Sequence, residues 1–163
     1  MKFSTQEEYG LRCLLQLARL GDGASMTITG ISQAEGLSTA NVAKLMRLLR
    51  LEGFVESVRG QEGGYTLARP AAEIRVADVL TALGGRLYEP GFCGSYSGNE
   101  DECTHVVSCS LRPLWHRVQD AIDRAISGIS LADLLIPQIP TLGIELPRQR
   151  PITHRDTSDI FTR

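Results

Sequence analysis

Three of the four cysteines, Cys93, Cys103 and Cys109, fall in one short stretch, separated by nine and by five residues. Thiols gathered in this way can ligate a metal or do redox chemistry, and in a reducing compartment those roles come before disulfides. A zinc ribbon would show two Cys-x-x-Cys knuckles, and the sequence has none. Iron–sulfur clusters accept thiolates from longer, irregular loops because the inorganic core supplies the rigid geometry. Three thiolates leave one position of four to another residue. Glu8, Asp101, Glu102, His105 and His116 are the candidates. A carboxylate or imidazole there shifts the potential and weakens retention relative to a fourth thiolate. Each of these side chains is equally an ordinary solvated surface residue. Three unrelated free thiols, a structural zinc site and a thiol switch answering directly to peroxide are the competing readings. Cys13 lies on the apolar side of a helical pattern and reads as a small core residue.

A second set of residues has the chemistry of a DNA contact. Ser38, Thr39 and Asn41 are polar positions at the start of one predicted helix, and Lys44, Arg47 and Arg50 follow along it. Side chains at the N-terminal end of a recognition helix reach base edges in the major groove. Asn41 can pair bidentately with adenine, and Thr39 can meet a base or a phosphate. Lys44, Arg47 and Arg50 suit phosphates, which add affinity and salt dependence without sequence information. Arg59, between two strand-like runs, suits the negative potential of a minor groove. The plain alternative is a three-helix core with a solvated charged face.

The elements that must position these groups are legible from caps and periodicity. Ser4-Thr5-Gln6-Glu7 is a capping box. Behind it Tyr9, Leu11, Leu14, Leu15, Leu17, Ala18 and Leu20 recur at helical spacing until Gly21-Asp22-Gly23. A short helix is predicted over 28–35, with Ile31 and Ala34 inward, stopped by Gly36. Ser38 then caps a third helix over 39–52 that buries Val42, Leu45, Met46, Leu48 and Leu49. Helix, glycine turn, capped helix is the spacing of a helix-turn-helix. Residues 54–58 and 65–67 flank the tip Arg59-Gly60-Gln61-Glu62-Gly63-Gly64 and predict a hairpin, the wing. A short helix follows over 76–83. Residues 88–110 lack amphipathic period and read as a loop, of a length that usually carries function. A long helix over 111–127 carries a wide stripe from Leu111, Leu114, Trp115 and Val118 to Ile122 and Ile126. Ser130 to Asp133 caps one last turn, and 137–163 read as a disordered tail.

The expected fold class is mainly α with a small β-hairpin: a winged helix-turn-helix domain plus a long dimerisation helix. The expected units are residues 1–86 for the DNA-binding domain, 87–110 for the cysteine loop, 111–136 for the dimerisation helix and last turn, and 137–163 for the tail. The length of 163 residues suits one domain with an appendage. No apolar run reaches the roughly 20 residues of a membrane span, and the polar start with Glu7 and Glu8 is unlike a signal peptide. A soluble, cytoplasmic protein is expected. The net charge of −2 argues against indiscriminate nucleic-acid binding, but the basic residues cluster while Glu100-Asp101-Glu102 lie elsewhere. No nucleophile–base pair or nucleotide-binding glycine loop is apparent, since Gly60 to Gly64 lies in a hairpin and not before a helix. No enzyme and no small-molecule substrate are expected. The alternative is a cluster-free winged-helix repressor that answers through its thiols or a small ligand, and an iron–sulfur electron carrier or scaffold is the competing class.

The start MKFSTQEEYGLRCL, the run ISQAEGLSTANVAKLMRLLRLEGFVESVRGQEGGYTLARP and three cysteines followed by LRPLWHRV carry a resemblance over about residues 1–135. The sequence resembles the Rrf-two family of bacterial winged helix-turn-helix transcriptional regulators, which includes the iron–sulfur repressors IscR, NsrR and RirA. The resemblance implies a repressor acting as a homodimer that crosses partners through the long helix and binds a palindromic double-stranded operator. It implies DNA contacts by Thr39, Asn41, Lys44 and Arg59, and cluster ligation by Cys93, Cys103 and Cys109; it leaves the cluster type open, and 2Fe–2S is taken slightly ahead of 4Fe–4S. Members resembling IscR place a histidine three positions after the third cysteine, where this sequence has Arg112. Members resembling NsrR complete the site with an acidic residue from the other subunit's first helix, a position held here by Glu8. The first cysteine gap is longer than in the commonest members. The implied signals are redox state, nitric oxide, or iron and cluster supply.

Overall fold

The structure is a computed structural model and describes residues 4–60, 63–96, 103, 105 and 108–136. Helix α1 (Thr5–Arg19) begins where the sequence places it, because Ser4 and Glu7 satisfy each other's backbone N–H groups. Its face of Cys13, Leu14 and Leu17 is fully buried. Helix α2 (Ile28–Glu35) is capped by Thr27 and ends at Gly36, whose φ of 66° is left-handed and open only to residues without a Cβ penalty. Helix α3 (Thr39–Leu51) follows at once behind Ser38. The structure differs from the sequence reading at Ala34, which is exposed, and at Leu48, which is half-buried. With only eight residues, α2 seats Ile31 in the core and leaves its far side to solvent.

Strands β1 (Val55–Val58) and β2 (Gly64–Leu67) pair antiparallel with Val55 opposite Leu67 and Val58 opposite Gly64. The Arg69 guanidinium lies 5.3 Å over the Phe54 ring and donates to the Gly53 carbonyl at 3.0 Å, which fixes the base of the wing to the end of α3. A one-residue bridge, Met26 with Tyr65, adds a third short rung beside β2. Helix α4 (Val76–Gly84) packs Val79 and Leu83 into the same core. Leu83 meets α1 at Gly10, where a Cβ would stand 2.4 Å from the Leu83 Cδ1. The head is thus one core of Leu14, Leu17, Ile31, Val42, Met46, Leu49, Val55 and Val79, each worth about 1.5–3 kcal/mol on burial.

Helix α5 (Arg112–Ile126) stands apart from that core. Its exit folds back on the head: Ile129 accepts from Val76 N–H, and Leu131, fully buried, donates to Ile74. The apolar stripe is only partly covered in the single chain: Leu111 and Leu114 are exposed by 56% and 49%, while Trp115, Val118, Ile122 and Ile126 are half-buried. The segment read as a plain loop contains a 3-10 helix, Phe92–Tyr96, supported by Phe92 N–H to Glu89 and Gly94 N–H to Gly91. Its local backbone bonds leave no periodicity for a sequence to display. The tail expected over 137–163 lies outside the described residues, as do Gln61, Glu62, Asp101 and Glu102.

Candidate nucleic-acid interface and thiol cavity

The helix-turn-helix leaves one face of α3 to solvent. Val42, Leu45, Met46 and Leu49 are buried, so Thr39, Lys44, Arg47 and Arg50 are exposed and Asn41 is half-buried at the head of the helix. Lys44, Arg47 and Arg50 follow at three-residue spacing, which keeps them close on the helix surface. Among the described residues none of them forms an ion pair. The Ser38 hydroxyl accepts from Asn41 N–H at 3.2 Å, so its oxygen serves the helix cap first. Arg59 is exposed at the tip of the hairpin, beside Gly60. The structure therefore brings Thr39, Asn41, Lys44, Arg47 and Arg50 onto one helix and holds Arg59 on the adjoining wing.

The α2 side of the turn is tied to α1 by charge. Arg12 Nε and Glu35 Oε2 form a salt bridge of 2.5 Å, Arg12 also donates to the Glu35 carbonyl at 2.8 Å, and Gln16 donates to the other carboxylate oxygen. The Glu35 contact raises the Arg12 pKa, with Glu8 one turn earlier adding to it. Nothing in the pattern of apolar residues announced this tie. Its signal was the Arg12–Gln16 pair one helical turn apart facing a lone glutamate at the end of α2.

Cys93, Cys103 and Cys109 all line a single cavity of about 550 Å³, together with His105, Arg112 and an apolar wall of Leu87, Phe92, Tyr96, Leu111 and Trp115. The wall is an aromatic stack: Tyr88 to Phe92 at 5.1 Å, Phe92 to Tyr96 at 4.8 Å and Phe92 to Trp115 at 6.3 Å. Each of the three cysteines is half-buried. Among the described residues no three His, Cys, Asp or Glu side chains stand close enough to grip one metal ion. The donor set, soft thiols beside an apolar, aromatic wall, nevertheless suits a sulfide-bridged iron centre better than a hard cation. His116 stands outside this lining, edge-on to Tyr88 at 4.6 Å, and borders a second cavity of about 430 Å³ that also touches Cys93. Glu8 is exposed on α1 and lines neither cavity of its own chain. Cys13 is enclosed in the core, where burial pushes its thiol up to about 11. It takes no part in the cavity.

A capped recognition helix, a hairpin wing beside it and a long outlying helix define a winged helix-turn-helix regulator of transcription. Among the described residues no helix is long and apolar enough to cross a membrane. The chain belongs to the Rrf2 family, described as an iron-dependent transcriptional regulator, whose model matches residues 3–137. It is 35% identical over 135 residues to the protein rrf2 of Nitratidesulfovibrio vulgaris, covering 83% of this chain and 87% of that one. Among solved structures it resembles IscR of T. potens, with 29% identity and a TM-score of 0.64 over 83% of this chain and 86% of that one. It also resembles CymR, the global cysteine regulator of B. subtilis, with 26% identity and a TM-score of 0.62 over 83% and 96%. The family and fold are those the sequence motifs imply.

Proposed function

We propose that the chain is a cytoplasmic, homodimeric repressor whose grip on a palindromic operator depends on an iron–sulfur cluster held by Cys93, Cys103 and Cys109. The observation that carries this reading is the shared cavity: three thiols from a loop of uneven spacing face one apolar, aromatic-walled space. When bound, the cluster supplies iron and sulfide that oxygen or nitric oxide can attack and that iron shortage can withhold. A 2Fe–2S centre remains the preferred form. The chain's own part is to wrap the loop around it, set the half-buried Phe92 and Trp115 rings beside it, and couple the filled cavity to α5.

The exposed Leu111 and Leu114, continuous with the half-buried Trp115, Val118, Ile122 and Ile126, support a helix pairing between two copies, because such an apolar face is costly to leave wet. Pairing fixes the separation of two α3 helices, which must match half-sites roughly 34 Å apart. It also offers Glu8 of one copy to the cavity of the other as the fourth ligand, in keeping with its exposure on α1. Asn41 and Thr39 read bases, Ser38, Lys44, Arg47 and Arg50 meet phosphates, and Arg59 enters the minor groove. On this reading residues 1–86 bind DNA, 87–110 sense and 111–136 dimerise.

The test is purification without oxygen followed by native mass spectrometry with iron and sulfide analysis. Iron and sulfide in matched amounts on a dimer are the expected result; a dimer with neither contradicts the proposal. A second reading, a cluster-free thiol switch, is favoured by two observations: among the described residues no three ligands are gathered for a single ion, and the fold is shared with Staphylococcus aureus CymR, which has been solved in an oxidized form. It predicts a colourless protein whose operator affinity changes with thiol oxidation alone.

A further inference from the structure

Among the described residues of α5 the one that is buried is polar: Gln119, 7% exposed. A primary amide removed from water is costly unless its donors and acceptor find partners. Those of Gln119 are specific. Its Oε1 accepts from the Tyr88 backbone N–H at 3.0 Å, and its Nε2 donates to Asp123 Oδ1 at 2.9 Å. The second Asp123 oxygen takes the Arg86 guanidinium. These partners fix which way the amide faces, since turning it over would set an N–H against the Tyr88 N–H.

Tyr88 is the entrance to the thiol segment. Its ring packs edge-on to His116 of α5 and against Phe92, and Phe92 immediately precedes Cys93. One side chain on α5 therefore anchors, through a single backbone N–H, the stretch that delivers the first thiol to the cavity. Apolar packing alone would hold the rings loosely along the helix; the hydrogen bond fixes their register.

We propose that Gln119 is the positioning residue of the thiol cavity, holding the Tyr88–Phe92–Cys93 segment against α5, with Asp123 orienting its amide. Its importance to regulation rests on the reading of that cavity as the sensor; the positional claim does not.

The experiment uses the full-length dimer, stripped of iron and reduced, pulsed with iodoacetamide, with alkylation of Cys93 and of Cys13 read by peptide mass spectrometry. Gln119→Leu keeps the bulk and removes the acceptor. It should raise the Cys93 rate by about two- to ten-fold, the ratio that one lost neutral hydrogen bond allows, while Cys13 stays protected. An unchanged Cys93 rate overturns the proposal. Should Gln119→Leu also expose Cys13, the fold as a whole has loosened and the pair Asp123→Ala and Asp123→Asn decides. Alanine should raise Cys93 labelling and asparagine, which keeps an accepting oxygen, should restore it; equal rates in the two overturn the proposal. Labelling needs neither cluster nor DNA, so a protein that never loads iron can still confirm the anchor. A protein that loads iron normally but labels Cys93 at the parent rate refutes the anchor alone.

Discussion

Replacing Gly64 by alanine would show how firmly the wing is fastened to the rest of the head. Gly64 opens β2, and its neighbour Tyr65 exchanges two backbone hydrogen bonds with Met26, of 3.0 and 2.9 Å. A Cβ built on Gly64 would lie 2.4 Å from the Met26 carbonyl oxygen and 2.6 Å from its carbonyl carbon. Both atoms are backbone, so no rotamer change relieves the overlap, and the two segments must part. Two backbone bonds at about 0.5–1.5 kcal/mol each give a loss of about 1–3 kcal/mol. The wing, and Arg59 with it, would also leave its position beside α3. Urea unfolding at fixed protein concentration should show a midpoint lower by about 1 M for a slope of about 2 kcal/mol/M. Fluorescence anisotropy with the operator should show affinity reduced by about ten-fold, roughly the 1.4 kcal/mol of one lost anchoring contact. A Gly64→Ala protein with the parent's midpoint would refute the close approach, and one with a lowered midpoint but the parent's affinity would refute the role given to the wing.

Other outcomes follow from the same geometry. Asn41→Ala should cost about 1–3 kcal/mol on operators with the matching adenine and relax preference at that base pair alone, whereas Arg47→Ala should weaken all sequences alike and lower the salt slope by about one; competition titrations across salt separate the two. Glu8→Ala should change the visible spectrum or the air lifetime of the loaded protein, and an identical spectrum and lifetime would remove Glu8 from the site. The Cys13 thiol is raised from 9.0 to about 11 by burial, so the folded chain holds its proton more tightly than the unfolded one. Its contribution to stability is therefore complete below pH about 9 and fades as the pH rises towards 11. Cys13→Ala should flatten that alkaline decline in a series of urea midpoints, at the cost of a small cavity in the core.

The head was legible in the sequence because its signals are local. The Ser4–Glu7 box, the Gly36 stop and the Ser38 cap each act within a few residues, and each is found as expected. The wing followed from two β-prone runs around a glycine-rich tip. What stayed hidden depends on pairing across distance. The Met26–Tyr65 bridge involves one residue on each side, too few for any period to form. Arg12 and Gln16 stand one helical turn apart on α1, but only the packing of α1 against α2 brings Glu35 between them.

The candidate site shows the same division. Clustering of Cys93, Cys103 and Cys109 was evident from spacing, and the cavity gathers all three. Of the other candidates named from the sequence, His105 lines the cavity through the fold of an irregular loop, while Glu8 lies outside it in its own chain, and no local pattern distinguishes the two. Gln119 escaped notice for a simpler reason. An apolar stripe draws attention to its hydrophobic members, while the residue that α5 buries in the single chain is an amide.

The most direct test of the account compares one preparation with itself: operator affinity of the protein measured without oxygen, before and after the cavity is emptied by chelation under reducing conditions. Coupling between cavity and DNA of the usual size, about 1–3 kcal/mol, predicts a change of roughly 5- to 150-fold. Identical affinities for the filled and emptied forms would contradict it.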